Sequence, residues 1–68
     1  MTREWRRWGM RLKKLREARG WTQEFLAEKV GVSRNTIAPL EIGNRRPSLN
    51  LLERLAKALK VTVGGLLK

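Results

Sequence analysis

The sequence predicts an all-α domain of five short helices packed around a single core. Three observations carry this expectation. Apolar residues recur at steps of three and four along most of the chain, each such stretch is opened by Ser or Thr or closed by Gly, and no segment alternates apolar with polar residues over a useful length. At 68 residues there is room for one core only. A domain of this size buries only about 60% of the surface its unfolded chain exposes, so it must pack efficiently or gain a partner.

The elements follow in order. Trp5, Trp8, Leu12 and Leu15 form the apolar stripe of a first helix, with Arg and Lys at nearly every position between them and Gly20 at its end. Helical spacing puts the tryptophans in the core, or Trp5 and Trp8 in a subunit contact, rather than stacking on bases. Thr22 caps a second helix, Gln23 to Val30, which Gly31 closes. Ser33 opens a third, running from Arg34 to Ile42 and ended by Gly43-Asn44. Pro39 lies inside it and deprives the Asn35 carbonyl of its intrahelical donor, so this helix is expected to kink or end near Ala38. Ser48 caps a fourth helix through about Lys60, with Leu49, Leu52, Leu55, Ala56 and Leu59 inward. Thr62 caps a last short helix containing Val63, Leu66 and Leu67.

Sixteen Lys and Arg against six Asp and Glu give a net charge of +10, and residues 1–20 alone carry eight basic and two acidic side chains. Such an excess destabilises a compact state by self-repulsion, which points to a polyanionic partner. With no cysteine and no histidine, disulfides, thiolate and imidazole metal sites and the commonest general base are all absent. No nucleophile has a visible activating partner, so an enzyme is not expected, nor a cofactor or small-molecule substrate. The chain also lacks a bilayer-length apolar run and the apolar stretch of a signal peptide, so a cytoplasmic location without membrane attachment is expected.

The informative spacing lies within residues 23–42. Two short helices crossing steeply over a tight turn need a small residue where the backbones approach, a glycine in the turn, and branched apolar residues in the corner. Ala27, Gly31, Ile37 and Leu40 supply these at offsets of four, eight, fourteen and seventeen from Gln23. A compact helical hairpin could use the same residue types. It does not account for the offsets, caps and basic excess together, which point to a helix-turn-helix.

The run Leu15-Arg16-Glu17-Ala18-Arg19-Gly20-Trp21-Thr22-Gln23-Glu24, with Leu26-Ala27, Gly31-Val32-Ser33-Arg34, Thr36-Ile37, Leu40-Glu41, Gly43, Pro47-Ser48-Leu49 and Leu55-Ala56-Lys57-Ala58-Leu59, resembles the xenobiotic-response-element family of helix-turn-helix regulators. That family includes the phage lambda and 434 repressors and Cro proteins. The resemblance covers residues 9–68 and implies a five-helix, lambda-repressor-like domain that binds double-stranded DNA at a palindromic operator, usually as a homodimer. Residues 1–8 precede the family's usual start. They are either a continuation of the first helix or a basic arm on DNA.

The resemblance also implies roles for residues. Gln23 falls at the start of the second helix, against a phosphate or simply as a polar helix start. Ser33, Arg34 and Asn35 open the recognition helix, whose first turn faces the major groove. Arg34 suits guanine O6 and N7, or a phosphate; Asn35 suits adenine N6 and N7; Ser33 is a base contact or only a cap. Thr36 falls at a backbone- or base-contacting position, and Asn44, Arg45 and Arg46 fall at phosphate-contacting positions after the recognition helix. Pro39 stands where the family often has a base-bonding side chain and offers only apolar contact, such as to a thymine methyl. Alternatively, Pro39 is an incidental change that harms binding. Arg16 and Glu41 are paired by the resemblance into a structural ion pair, the alternative being two solvated charges.

The sequence also bears on two other function classes. An antitoxin-type interaction module would need a toxin-binding segment, and only the first residues and last leucines are available for one. A membrane-surface peptide is suggested by the Trp- and Arg-rich first helix, but the ordered caps and glycines of the remaining chain favour a folded domain. Gly64-Gly65 weakens the last helix by about 1 kcal/mol per glycine and puts a carboxy-terminal dimer contact in question.

Overall fold

The computed structural model describes residues 2–67, with side chains from Trp5 onward. Five helices follow one another: α1 Thr2–Ala18, α2 Gln23–Val30, α3 Arg34–Glu41, α4 Leu49–Leu59 and α5 Val63–Leu67. The fold is the expected all-α five-helix arrangement.

Side chains and glycines set most of the boundaries. Thr22 Oγ1 accepts from the Phe25 N–H at 3.0 Å, Ser48 Oγ from Leu51 at 3.1 Å and Thr62 Oγ1 from Gly65 at 2.8 Å, satisfying donors that the first helical turn leaves free. Gly31 ends α2 at a left-handed φ of 77°, and the Val32 N–H closes back on the Ala27 carbonyl at 2.9 Å. Lys60 ends α4 in the same left-handed region, at φ 59°, without a glycine's freedom.

The core is Trp8 and Leu12 from α1, Leu26, Ala27 and Val30 from α2, Ile37 and Leu40 from α3, Leu51, Leu52, Leu55, Ala56 and Leu59 from α4, and Leu66 from α5. Trp5 packs edge-on against Trp8 with ring centroids 5.9 Å apart, and Trp21 packs half-buried against Phe25 at 5.1 Å with the Lys29 ammonium over its ring. Leu49 corrects the expected inner face of α4. It is 66% exposed, and Leu51 is buried in its stead. Leu49 is the first residue after the cap, so it lies beyond the end of the core that Leu52, Leu55, Ala56 and Leu59 cover. Leu67, near the end of α5, is also exposed.

α1 crosses the end of α3 with backbone against backbone. A Cβ at Gly9 would collide with the Leu40 carbonyl oxygen and come within 2.6 Å of that of Glu41. Glycine is required here despite its cost inside a helix. Two further arginines satisfy helix-end carbonyls: Arg11 of α1 donates through Nε to the Gly65 carbonyl of α5 at 3.0 Å, and the Arg19 guanidinium, just past α1, donates to the carbonyls of Leu15 in α1, at 3.1 Å, and Leu59 in α4. No helix among the described residues is long and apolar enough to cross a membrane.

Candidate nucleic-acid interface

α2 and α3 meet over the turn Gly31-Val32-Ser33. Ala27 is buried where they approach, and Ile37 and Leu40 fill the corner without exposure. Because α3 turns Ile37, Leu40 and Glu41 inward, its first turn faces out, and Ser33, Arg34 and Asn35 are all exposed. Ser33 occupies the cap position with extended backbone, yet its hydroxyl makes no capping hydrogen bond. Its carbonyl instead accepts from the Thr36 N–H at 2.9 Å, and Thr36 is half-buried.

The far end of α3 is pinned. Arg16 Nε donates to Glu41 Oε2 at 2.6 Å and Arg16 Nη2 to Oε1 at 3.1 Å, a two-pronged pair whose side chains are 8% and 1% exposed. The hydrogen bond to Glu41 raises the Arg16 pKa above its ordinary value; burial opposes this, and the charges of Glu41 and Glu17 add to it. Arg16 Nη1 also donates to the Trp21 carbonyl at 2.6 Å, and Gln23 Nε2 donates to Glu41 Oε1 at 3.0 Å. One network therefore ties α1, the α1–α2 loop, the start of α2 and the end of α3 together. The half-buried Gln23 amide points into it, a link that the helix-start position alone did not reveal.

Of the two outcomes expected at Pro39, a kink or an end near Ala38, α3 does not end there: it stays α-helical through Pro39 to Glu41. The proline removes one donor, opposite the carbonyl of Asn35, and Asn35 is exposed so that water can replace it. Beyond Pro39 the helix is held by buried Leu40 and by its closing turn, where Gly43, at φ 80°, donates to the Leu40 carbonyl at 3.2 Å and Asn44 to that of Pro39 at 2.9 Å. Arg45 and Arg46 follow, both exposed, ahead of buried Pro47.

A helix-turn-helix family model matches residues 12–66. The chain belongs to the helix-turn-helix family of transcriptional regulators. It is 57% identical over 44 residues to an uncharacterized HTH-type transcriptional regulator of Methanothermobacter thermautotrophicus, covering 65% of this chain and 64% of that protein. It is 34% identical over 55 residues to the uncharacterized HTH-type transcriptional regulator YazB of Bacillus subtilis, covering 81% of this chain and 80% of that one. Its structure is similar, with a TM-score of 0.91 and 35% identity over 96% of this chain and 94% of the other, to the restriction-modification controller protein C.AhdI from Aeromonas hydrophila.

Around α3 of this helix-turn-helix domain, the exposed residues expected to contact DNA fall into two groups. Ser33, Arg34 and Asn35 stand at the outward start of α3, whereas Asn44, Arg45 and Arg46 stand in the loop after its end. Pro39 lies between them, half-buried. Gln23 is apart from both groups in its hydrogen bonding, engaged with Glu41.

Proposed function

We propose that the chain is a xenobiotic-response-element-type regulator that binds a palindromic duplex operator as a homodimer, with the start of α3 in the major groove. The carrying observation is the pairing of an outward, polar first turn, Ser33-Arg34-Asn35, with a far end fixed by the Arg16–Glu41–Gln23 network. A rigid mount lets Arg34 meet guanine and Asn35 meet adenine with two parallel hydrogen bonds each, and Ser33 approach the adjoining base edge. Pro39 adds apolar contact. Thr36, Asn44, Arg45 and Arg46 take phosphates, with Gln23 contributing from the start of α2, where backbone N–H groups favour an anion. C.AhdI, the structural neighbour, is named as a controller protein of restriction-modification; regulation of transcription fits the same architecture.

A duplex titration against salt tests this reading. A dimer making roughly six to ten phosphate contacts should lose about a thousandfold or more in affinity between about 50 and 200 mM salt. A nearly flat titration would rule out DNA as the main partner.

A further inference from the structure

Arg6 lies outside the segment matched by the family model, which begins at residue 12. In the structure it is placed against the end of the recognition helix. A Cβ built on Gly43 would sit 2.5 Å from Arg6 Cα, 2.8 Å from its backbone nitrogen and 2.9 Å from its Cβ, so the chain at Gly43 and the base of the Arg6 side chain touch directly. Gly43 has φ 80°, and the residues after it, Asn44, Arg45 and Arg46, are exposed. Arg6 is exposed too.

The direction of its side chain follows from helix geometry. At about 100° per residue, Arg6 lies some 60° around α1 from Gly9, which faces the α3 carbonyls, whereas Arg7 lies roughly 160° around, on nearly the opposite side. Arg7 borders a shallow trough of about 470 Å³ with Met10, Arg11, Lys14, Leu15 and Ala18, on the side of α1 turned away from α3. Adjacent arginines of equal charge thus serve different faces.

We infer that Arg6 is a phosphate-binding residue that extends the Arg45–Arg46 loop into one cationic strip along the DNA backbone. This rests on the proposed duplex binding. The helix–loop contact through Gly43 holds the start of the Arg6 side chain in place, so its guanidinium joins the loop arginines without the ordering cost of a disordered arm. A phosphate contact positions the protein without reading sequence. Arg6 therefore adds affinity and salt dependence while leaving base preference unchanged.

The test compares the full chain with Arg6→Ala, Arg6→Lys and Arg7→Ala, measuring affinity for a selected operator duplex between about 50 and 200 mM salt, with thermal unfolding of each variant. Alanine keeps the Cβ that meets Gly43, so Arg6→Ala should retain the fold. Each lost phosphate contact lowers the slope of log affinity against log salt by about 0.9, so Arg6→Ala should lower it by that amount per protomer. Arg6→Lys should restore the slope, and Arg7→Ala, which removes the same charge one residue away, should leave it unchanged. Equal effects of Arg6→Ala and Arg7→Ala, or an unchanged slope for Arg6→Ala, would overturn the inference. If the unsubstituted chain shows no salt-dependent duplex binding, the proposed function itself falls, and the inference with it.

Discussion

Glu41 ends α3 with its side chain almost wholly removed from water, and its two oxygens take hydrogen bonds from both Arg16 and Gln23. Removing one partner of such a pair leaves the other charge buried and uncompensated, at a cost of about 3 to 5 kcal/mol. Glu41→Gln should therefore lower stability in denaturant unfolding, and a double-mutant cycle with Arg16→Met should give a coupling above the roughly 1 kcal/mol ceiling of exposed pairs. Additive substitutions would contradict the buried pair. Because the Arg16 pKa is raised, its contribution is complete at every pH below the ordinary arginine value and is lost only above it, so no loss through Arg16 is expected around neutrality. Gly9 makes a second prediction at this scale. Gly9→Ala would gain about 1 kcal/mol of helix propensity but drive a methyl into the Leu40 and Glu41 carbonyls, so a net destabilisation of about 1 to 3 kcal/mol is expected. A rise in the unfolding midpoint would show that α1 and α3 are not in backbone contact.

Element boundaries were largely legible because the chain marks them chemically. Thr22, Ser48 and Thr62 each accept from a first-turn N–H, and Gly20 and Gly31 adopt the left-handed backbone that helix ends need. Partnerships between distant residues were less legible. Gln23 reads as a helix start, and only the fold brings it to Glu41; Leu49 fits the apolar period, but only the length of the packed face leaves it outside. Gly9 did carry a signal, since a glycine inside a helical stripe marks close backbone approach or a weak point. The local chemistry of Pro39 does not register the packing of Leu40 and the closing turn that keep α3 helical. The lost donor still costs something, so Pro39→Gln should stabilise the domain by about 1 kcal/mol or more, short of the ~3 kcal/mol of a regular helix interior. Unchanged or lower stability by urea unfolding would contradict this. Lys60→Gly should likewise stabilise, by about 0.5 to 1 kcal/mol, by relieving a left-handed lysine at the end of α4.

Across the whole molecule the net charge of +10 serves two purposes. Arg11, Arg16 and Arg19 are turned inward to helix carbonyls and to Glu41, whereas Arg6, Arg34, Arg45 and Arg46 remain exposed along the α3 side of the fold. Repulsion among exposed charges is screened by salt, so the free domain should gain stability on adding salt while its duplex affinity falls, opposite signs that unfolding and binding titrations will separate. The outward turn Ser33-Arg34-Asn35 is proposed to read sequence in duplex DNA. Selection from a random duplex library by the unsubstituted chain and by Arg34→Ala measures this most directly. A two-fold-symmetric consensus is expected, with preference at one base pair in each half-site relaxed in Arg34→Ala and the rest retained. Failure to enrich any sequence, or a consensus unaltered by Arg34→Ala, would contradict it.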